Sequence, residues 1–326
     1  MEHQQKTLLL NALHNLIANN VLGLNAYESR FKGFVAELDF LPWMRKNRSN
    51  VPLFTGGYFV PTESGKNSLI SPVYFTICNS SPDDYLEIYK KIALIPCKSM
   101  FFIQWENSVP ISEWPQEDIM NIQCPVPVPP LTCYEYSIEN STFNQIDISN
   151  LLNTFYDKTP NRNAYKIPEE NCKSALSSLL PFEHGDILSL YVQRLIFDGF
   201  IGYSKIKGSP SDIDSIAFSI KFNSLVFIEI KEKDRSKRHP QGFGMDIGRI
   251  NDLLNLEKIT GWPAYYLVRQ VNDQKARNFI GWKMISMQKF SKNLASSVIQ
   301  GGTGMGFENG QYPTRICPFN MFKPLE

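Results

Sequence analysis

Nowhere in the 326 residues is there a Cys-x-x-Cys pair or a cluster of histidines; four histidines and six cysteines are scattered along the chain. That scatter argues against a zinc site, and six unclustered thiols point to a reduced, cytoplasmic setting. Long hydrophobic runs are missing too. The start, Met-Glu-His-Gln-Gln, lacks a basic region, and Leu8-Leu9-Leu10 is soon broken by Asn11, His14 and Asn15. Neither a signal peptide nor a membrane span is expected. Charge of one sign is also lacking, with 33 Lys and Arg against 32 Asp and Glu and a net charge of +1. Bulk charge therefore names no polyanionic partner. Its distribution says more: residues 181–326 hold 19 basic against 14 acidic side chains, and the remainder 14 against 18. The second half is the basic half, a hint of a nucleic-acid face. No Ser/His/Asp or Cys/His set has a distinctive local spacing. The glycine-rich Gly301-Gly-Thr-Gly-Met-Gly306 lacks the Gly-Lys-Ser/Thr ending of a phosphate-binding loop and reads as a flexible loop. His184 beside Glu183 reads as a helix cap.

What is present is ample apolar material, 43% of residues, in a chain long enough for one large or two ordinary domains. Leu9, Ala12, Leu13, Leu16 and Ile17 recur at helical spacing, and a second helix is expected near residues 26–38. Short β-rich runs follow, Tyr58-Phe-Val, Val73-Tyr-Phe-Thr-Ile and Met100-Phe-Phe-Ile-Gln-Trp105, with a helical piece at 85–94. This is the texture of an α+β module. Arg45-Lys-Asn-Arg48 at its entrance reads as a solvated basic loop. The proline-rich stretch from Pro110 through Cys124-Pro-Val-Pro-Val-Pro-Pro130 suits a linker, which places a domain boundary near 134. Two domains are expected, 1–134 and 135–326. Beyond the boundary, helices are expected over 143–156, 168–180 and 185–198 and a strand over 200–206. A helix over 245–259 should be closed by Gly261-Trp-Pro, and strands should run over 264–268 and 279–285.

The second half is organised around residues 209–235. Two runs rich in Ile, Val and Phe flank Asn223-Ser224, a plausible hairpin turn. Side chains on a strand alternate between faces, so Glu229 and Lys231 share one face and Ile228 and Ile230 the other. Antiparallel pairing about that turn puts Asp214 opposite the segment Lys231–Lys233, near Glu229. Two carboxylates and a lysine at the edge of a buried sheet suit a hard cation. Mg²⁺ takes oxygen ligands, commonly one or two carboxylates completed by substrate phosphate.

The order Asp214, hairpin, Glu229-Ile-Lys231 resembles the signature of the PD-(D/E)XK, or restriction-endonuclease-like, nuclease superfamily, over about residues 183–285. The resemblance implies a mixed central sheet flanked by helices in the C-terminal half, an α/β (α+β) class, with the N-terminal module serving recognition or assembly. It implies Asp214, Glu229 and the Ile230 carbonyl as ligands of Mg²⁺, or Mn²⁺, and Lys231 as the catalytic lysine. An acid on the preceding helix, Asp186 or else Glu183, would join them. The literal Pro-Asp pair is absent; the chain has Pro210-Ser-Asp212-Ile-Asp214, which leaves Asp212 and Asp214 as alternatives. The implied activity is metal-dependent cleavage of DNA, duplex rather than single-stranded, leaving a 5′-phosphate, by an enzyme that would suit a homodimer. Lys233, Arg235, Lys237 and Arg238 are candidate phosphate contacts. Arg249 would either reach the scissile phosphate or pair with Asp246 or Asp252. Two other readings fit the same residues: a catalytically silent nucleic-acid-binding protein, and a nuclease that works as a trigger-activated defence effector.

Overall fold

Leu9, Leu13, Leu16 and Ile17 lie on one face of the helix Glu2–Ala18 and are completely buried, as their spacing predicts. The structure, a computed structural model, describes residues 2–21, 23–60, 71–119, 122, 124–153, 165–201, 211–219, 223–237, 239–303 and 311–325. The chain divides into two compact units, neither contiguous in sequence: residues 1–28 with 55–212, and residues 29–54 with 213–326. The proline-rich stretch is therefore no linker. The boundary expected near 134 falls inside the strand Leu131–Ser137, which pairs antiparallel with Ser99–Trp105, so the prolines lie within the first unit.

The first unit is built on a six-stranded sheet in the order Thr142–Ile146, Leu131–Ser137, Ser99–Trp105, Val73–Cys78, Gly57–Val60, Ser211–Ile213. Val73–Cys78 and Ser99–Trp105 run parallel, and the short helix Leu86–Ile92 lies on the connection between them. Helices Glu2–Ala18, Glu169–Leu179 and His184–Arg194 pack together. The last runs on as a π-helical segment, Leu195–Ile201, through Gly199. Phe200 and Ile201 are therefore helical, contrary to the strand expected over 200–206; the rest of that stretch lies outside the described residues. Residues 143–146 are likewise a strand where a helix was expected, and helix Ile148–Asn153 follows them.

The second unit carries a mixed sheet in the order Leu53–Phe54, Ser215–Ser219, Ser224–Asp234, Ala264–Val271, Phe279–Ser286, Lys323–Pro324. The expected hairpin pairs antiparallel, Ser219 opposite Ser224, while Ser224–Asp234 and Ala264–Val271 run parallel. A parallel pair needs a crossover, and helix Ile247–Thr260 lies on it. Asp246 caps that helix by accepting from the Arg249 backbone N–H at 2.7 Å. Gly261 ends it in the left-handed region, φ 73°, where a side chain would be strained.

One sheet face is covered by the helix Leu24–Asn47, longer than expected; it absorbs Arg45, Lys46 and Asn47, so most of the basic cluster is its last turn and not a loop. Its Ala36, Phe40 and Met44 pack on Ala217, Ile228, Ile230, Leu267 and Trp282. On the opposite face Tyr266 meets Phe290 and Phe322 edge-on. A small sheet, Gly242–Asp246 with Gln311–Pro318 and Ile299–Thr303, completes the unit. The chains approach so closely there that a Cβ on Gly242 would sit 1.9 Å from the Cys317 carbonyl oxygen.

On the helix-covered face a four-charge network closes the end of the central strand. The Glu232 side chain, 1% exposed, receives Arg277 at 2.7 and 3.0 Å and Arg269 at 3.1 Å. Arg269 in turn donates to Asp39 at 2.8 Å.

Candidate functional site

The hairpin register decides where the acids meet. Ser215 lies opposite Ile228, and the next residue outward from each strand is Asp214 and Glu229. Asp214 thus faces Glu229, two residues short of the expected Lys231–Lys233. At Asp214 the chain bends out of the ladder, and the Asp214 carboxylate takes over the pairing that a longer strand would have supplied. Its Oδ2 accepts from the Ile230 backbone N–H at 2.6 Å. Asp212, the alternative, belongs to the first unit, where its carboxylate lies 3.4 Å from the buried Arg194 guanidinium.

Lys231, on the same strand face as Glu229, holds the two carboxylates together. Its Nζ lies 2.8 Å from Glu229 Oε1 and 3.4 Å from Asp214 Oδ2. Helix Ile247–Thr260 brings in the fourth charge from its first turn. Arg249 Nε donates to Glu229 Oε2 at 2.9 Å, and Nη2 contacts the same oxygen. The carboxylate side chains are each 1% exposed, Arg249 12% and Lys231 40%. Two carboxylates so deeply withdrawn from water need nearby positive charge, since burying an uncompensated ion costs several kcal/mol, ~3–5 when one partner of a pair is deleted. Lys231 and Arg249 supply it here. Tyr266 lies opposite Glu229 in the parallel register, fully buried, with its hydroxyl donating to the Gly244 carbonyl at 3.1 Å. Burial drives its phenol far above the ordinary value and keeps it neutral.

The other expected site residues distribute unevenly. Lys233 continues the face of Glu229 and Lys231; it makes no ion pair among the described residues. Burial, and then the charge of Lys231, lower its ammonium pKa. Arg235 is exposed and sits over the Phe319 ring at 5.4 Å, and Lys237 is exposed. Arg238 lies outside the described residues. Asp186 is in the first turn of helix His184–Arg194, in the first unit, and so belongs to a different body from the acidic pair. Arg249 pairs with Glu229, while Asp246 receives only its backbone N–H. Spacing gave no signal for that partnership, because strand and helix positions 20 residues apart meet only through the crossover.

A Cys/His pair, invisible as spacing, also exists. In the first unit Cys172 Sγ lies 3.4 Å from His14 Nδ1, which is 2.8 Å from the Tyr27 hydroxyl. Burial raises the thiol and lowers the imidazole, so the pair rests neutral and lacks the thiolate a nucleophile requires.

The donor set suits Mg²⁺ by its chemistry. Asp214 and Glu229 are hard oxygen donors side by side. The Ile230 carbonyl points to the same strand edge as the N–H that Asp214 accepts, because both polar groups of a strand residue face one side. Among the described residues no group of three or more His, Cys, Asp and Glu side chains is placed to hold a metal, so an ion here would have two side-chain ligands. Compared with family models, with curated proteins and with solved structures, the chain matches none.

Proposed function

We propose that the second unit is a Mg²⁺-dependent, restriction-endonuclease-like nuclease that hydrolyses phosphodiesters of DNA. The observation that carries this reading is the meeting of Asp214, Glu229 and Lys231 at one point of the hairpin, with the lysine within 3.4 Å of both acids. The helix crossover to a parallel strand directly after the Glu-x-Lys segment supports the same fold family.

In this reading Asp214, Glu229 and the Ile230 carbonyl hold the ion. Held there, the ion would supply positive charge against the phosphate and acidity to nearby water. Lys231, half-exposed at the mouth of the site, orients the attacking water and places positive charge against the phosphorane oxygens. The water oxygen bonds to phosphorus, the bond from phosphorus to the 3′-oxygen breaks, the water's proton passes to solvent and the departing 3′-oxygen takes one up from solvent. The products carry a 5′-phosphate and a 3′-hydroxyl. Lys233, Arg235 and Lys237 extend a cationic track from the strand into the loop, fit to hold flanking phosphates in a salt-dependent way. The described helices include none long and apolar enough to cross a membrane.

The test is cleavage of supercoiled, linear and single-stranded DNA with Mg²⁺ or Mn²⁺ by the full chain, beside Glu229→Gln and Lys231→Met. Metal-dependent cutting that falls by about 10²-fold or more in both variants supports the assignment. Wild-type protein that cuts nothing but binds DNA equally well with and without Lys231→Met points to a silent fold.

A further inference from the structure

Resting on the metal-site reading above, we propose that Arg249 is an exchangeable counter-ion for Glu229. In the resting protein its guanidinium occupies the carboxylate edge that a divalent ion needs, and a nucleic-acid phosphate entering the site draws it away.

Both oxygens of Glu229 are engaged, Oε1 by Lys231 at 2.8 Å and Oε2 by Arg249 through two guanidinium nitrogens. Both oxygens already face a cation, so a divalent ion added with Lys231 and Arg249 in place would bring two more positive charges among groups that water barely reaches. Binding the ion therefore requires a cation to leave. Lys231 is 40% exposed and can turn into solvent, but that frees only one carboxylate oxygen. Arg249 is 12% exposed, so water alone does not replace the carboxylate it lets go. Its backbone is fixed by the N–H donated to Asp246 at 2.7 Å in the first helical turn. The side-chain torsions do the moving while the helix stays in place. A phosphate oxygen pair is the partner a planar guanidinium takes best. Metal and phosphate then enter together, each raising the affinity of the other, because coupling between two binding events is reciprocal.

The experiment titrates Mn²⁺ by electron paramagnetic resonance into DNA-free wild type, Arg249→Met and Glu229→Gln, each checked for folding by circular dichroism. Arg249→Met is expected to bind Mn²⁺ at least about tenfold tighter than wild type, and Glu229→Gln to bind none over the same range. Arg249→Gln, which keeps a hydrogen bond to the carboxylate without the charge, takes the place of the Met variant if that protein does not fold. Wild-type binding with an unchanged or weaker affinity in the Arg249 variant overturns the exchange and leaves the nuclease reading standing. Absence of Mn²⁺ binding in every protein overturns both. A second arm uses the non-cleaving Lys231→Met background with a short DNA duplex, corrected for Mn²⁺ held by the duplex alone. The phosphate's own ligation of the ion is common to both proteins, so the duplex should tighten Mn²⁺ binding several-fold more in Lys231→Met than in Lys231→Met/Arg249→Met; equal effects in the two overturn the phosphate's part.

Discussion

Glu232 offers the cleanest perturbation of the second unit, because it sits three residues from Glu229 on the opposite face of the same strand. Glu232→Gln keeps the side chain's shape and one oxygen acceptor, removes the charge and puts an amide N–H₂ in place of the other acceptor. Two guanidinium groups then lose their shared anion: Arg277, which binds it at 2.7 and 3.0 Å, and Arg269 at 3.1 Å. Deleting one partner of a fully buried pair costs ~3–5 kcal/mol. Arg269 and Arg277 are 13% and 23% exposed, and Arg269 keeps Asp39 at 2.8 Å, so water and a second carboxylate recover part of that. The expected loss is roughly 3 kcal/mol, discounted toward the lower end of that range. At about 2–4 °C per kcal/mol for a chain of this size, the melting temperature should fall by about 6–12 °C. Differential scanning calorimetry reads the shift, and Mn²⁺ titration of the same variant should match wild type, since the other face of the strand is untouched. A melting temperature within about 2 °C of wild type would show that the network contributes nothing net. Lost Mn²⁺ binding would show that the two faces are not independent.

Other substitutions test separate links. Glu257 has a carboxyl raised by burial, with Oε1 accepting from the Ala264 N–H at 2.7 Å and Oε2 buried without a hydrogen-bond partner among the described residues. A raised carboxyl favours the folded state below its unfolded pKa and loses that contribution as pH climbs through the folded value. Glu257→Gln should therefore melt higher than wild type at pH 7, with the gap closing as pH falls below the ordinary carboxylate range. Gly242→Ala forces a Cβ toward the Cys317 carbonyl and should cost about 1–3 kcal/mol or more in chemical denaturation; a neutral result would mean the small sheet shifts freely. Lys231→Arg, which keeps the charge but not the compact ammonium, should restore little of the cutting lost in Lys231→Met in plasmid assays.

Much of the architecture was legible because local pattern and tertiary demand agree. The period of Leu9, Leu13 and Leu16, the Gly261-Trp-Pro stop and the Val/Ile/Phe runs around Asn223 each fix an element by themselves. The acids were legible for the same reason, since strand alternation alone puts Glu229 beside Lys231. Register was not. A hairpin slips by whole residues according to the turn, and the turn residues carried no decisive signal, so Asp214 was expected opposite Lys231–Lys233 and lies opposite Glu229. Phe200 and Ile201 misled because an apolar run after a glycine suits a strand as well as a buried helical turn, and tertiary burial made it helical. The grouping of residues 29–54 with the C-terminal half, and the Arg249–Glu229 pair, depend on contacts remote in sequence that no local pattern encodes.

That grouping has a consequence for how the molecule is made. Residues 29–54 leave the ribosome well before their partners, since the apolar face that Phe40 and Met44 cover is formed by Ala217, Ile228, Ile230, Leu267 and Trp282. At ordinary synthesis rates those partners follow roughly 10–40 s later. Through that interval the early segment has nothing of its own unit to cover, and a fragment beginning at residue 213 would lack its lid altogether. The second unit cannot be cut out as one contiguous cassette, and the acidic pair is assembled only after residues 213–234 have followed the segment that covers their strand.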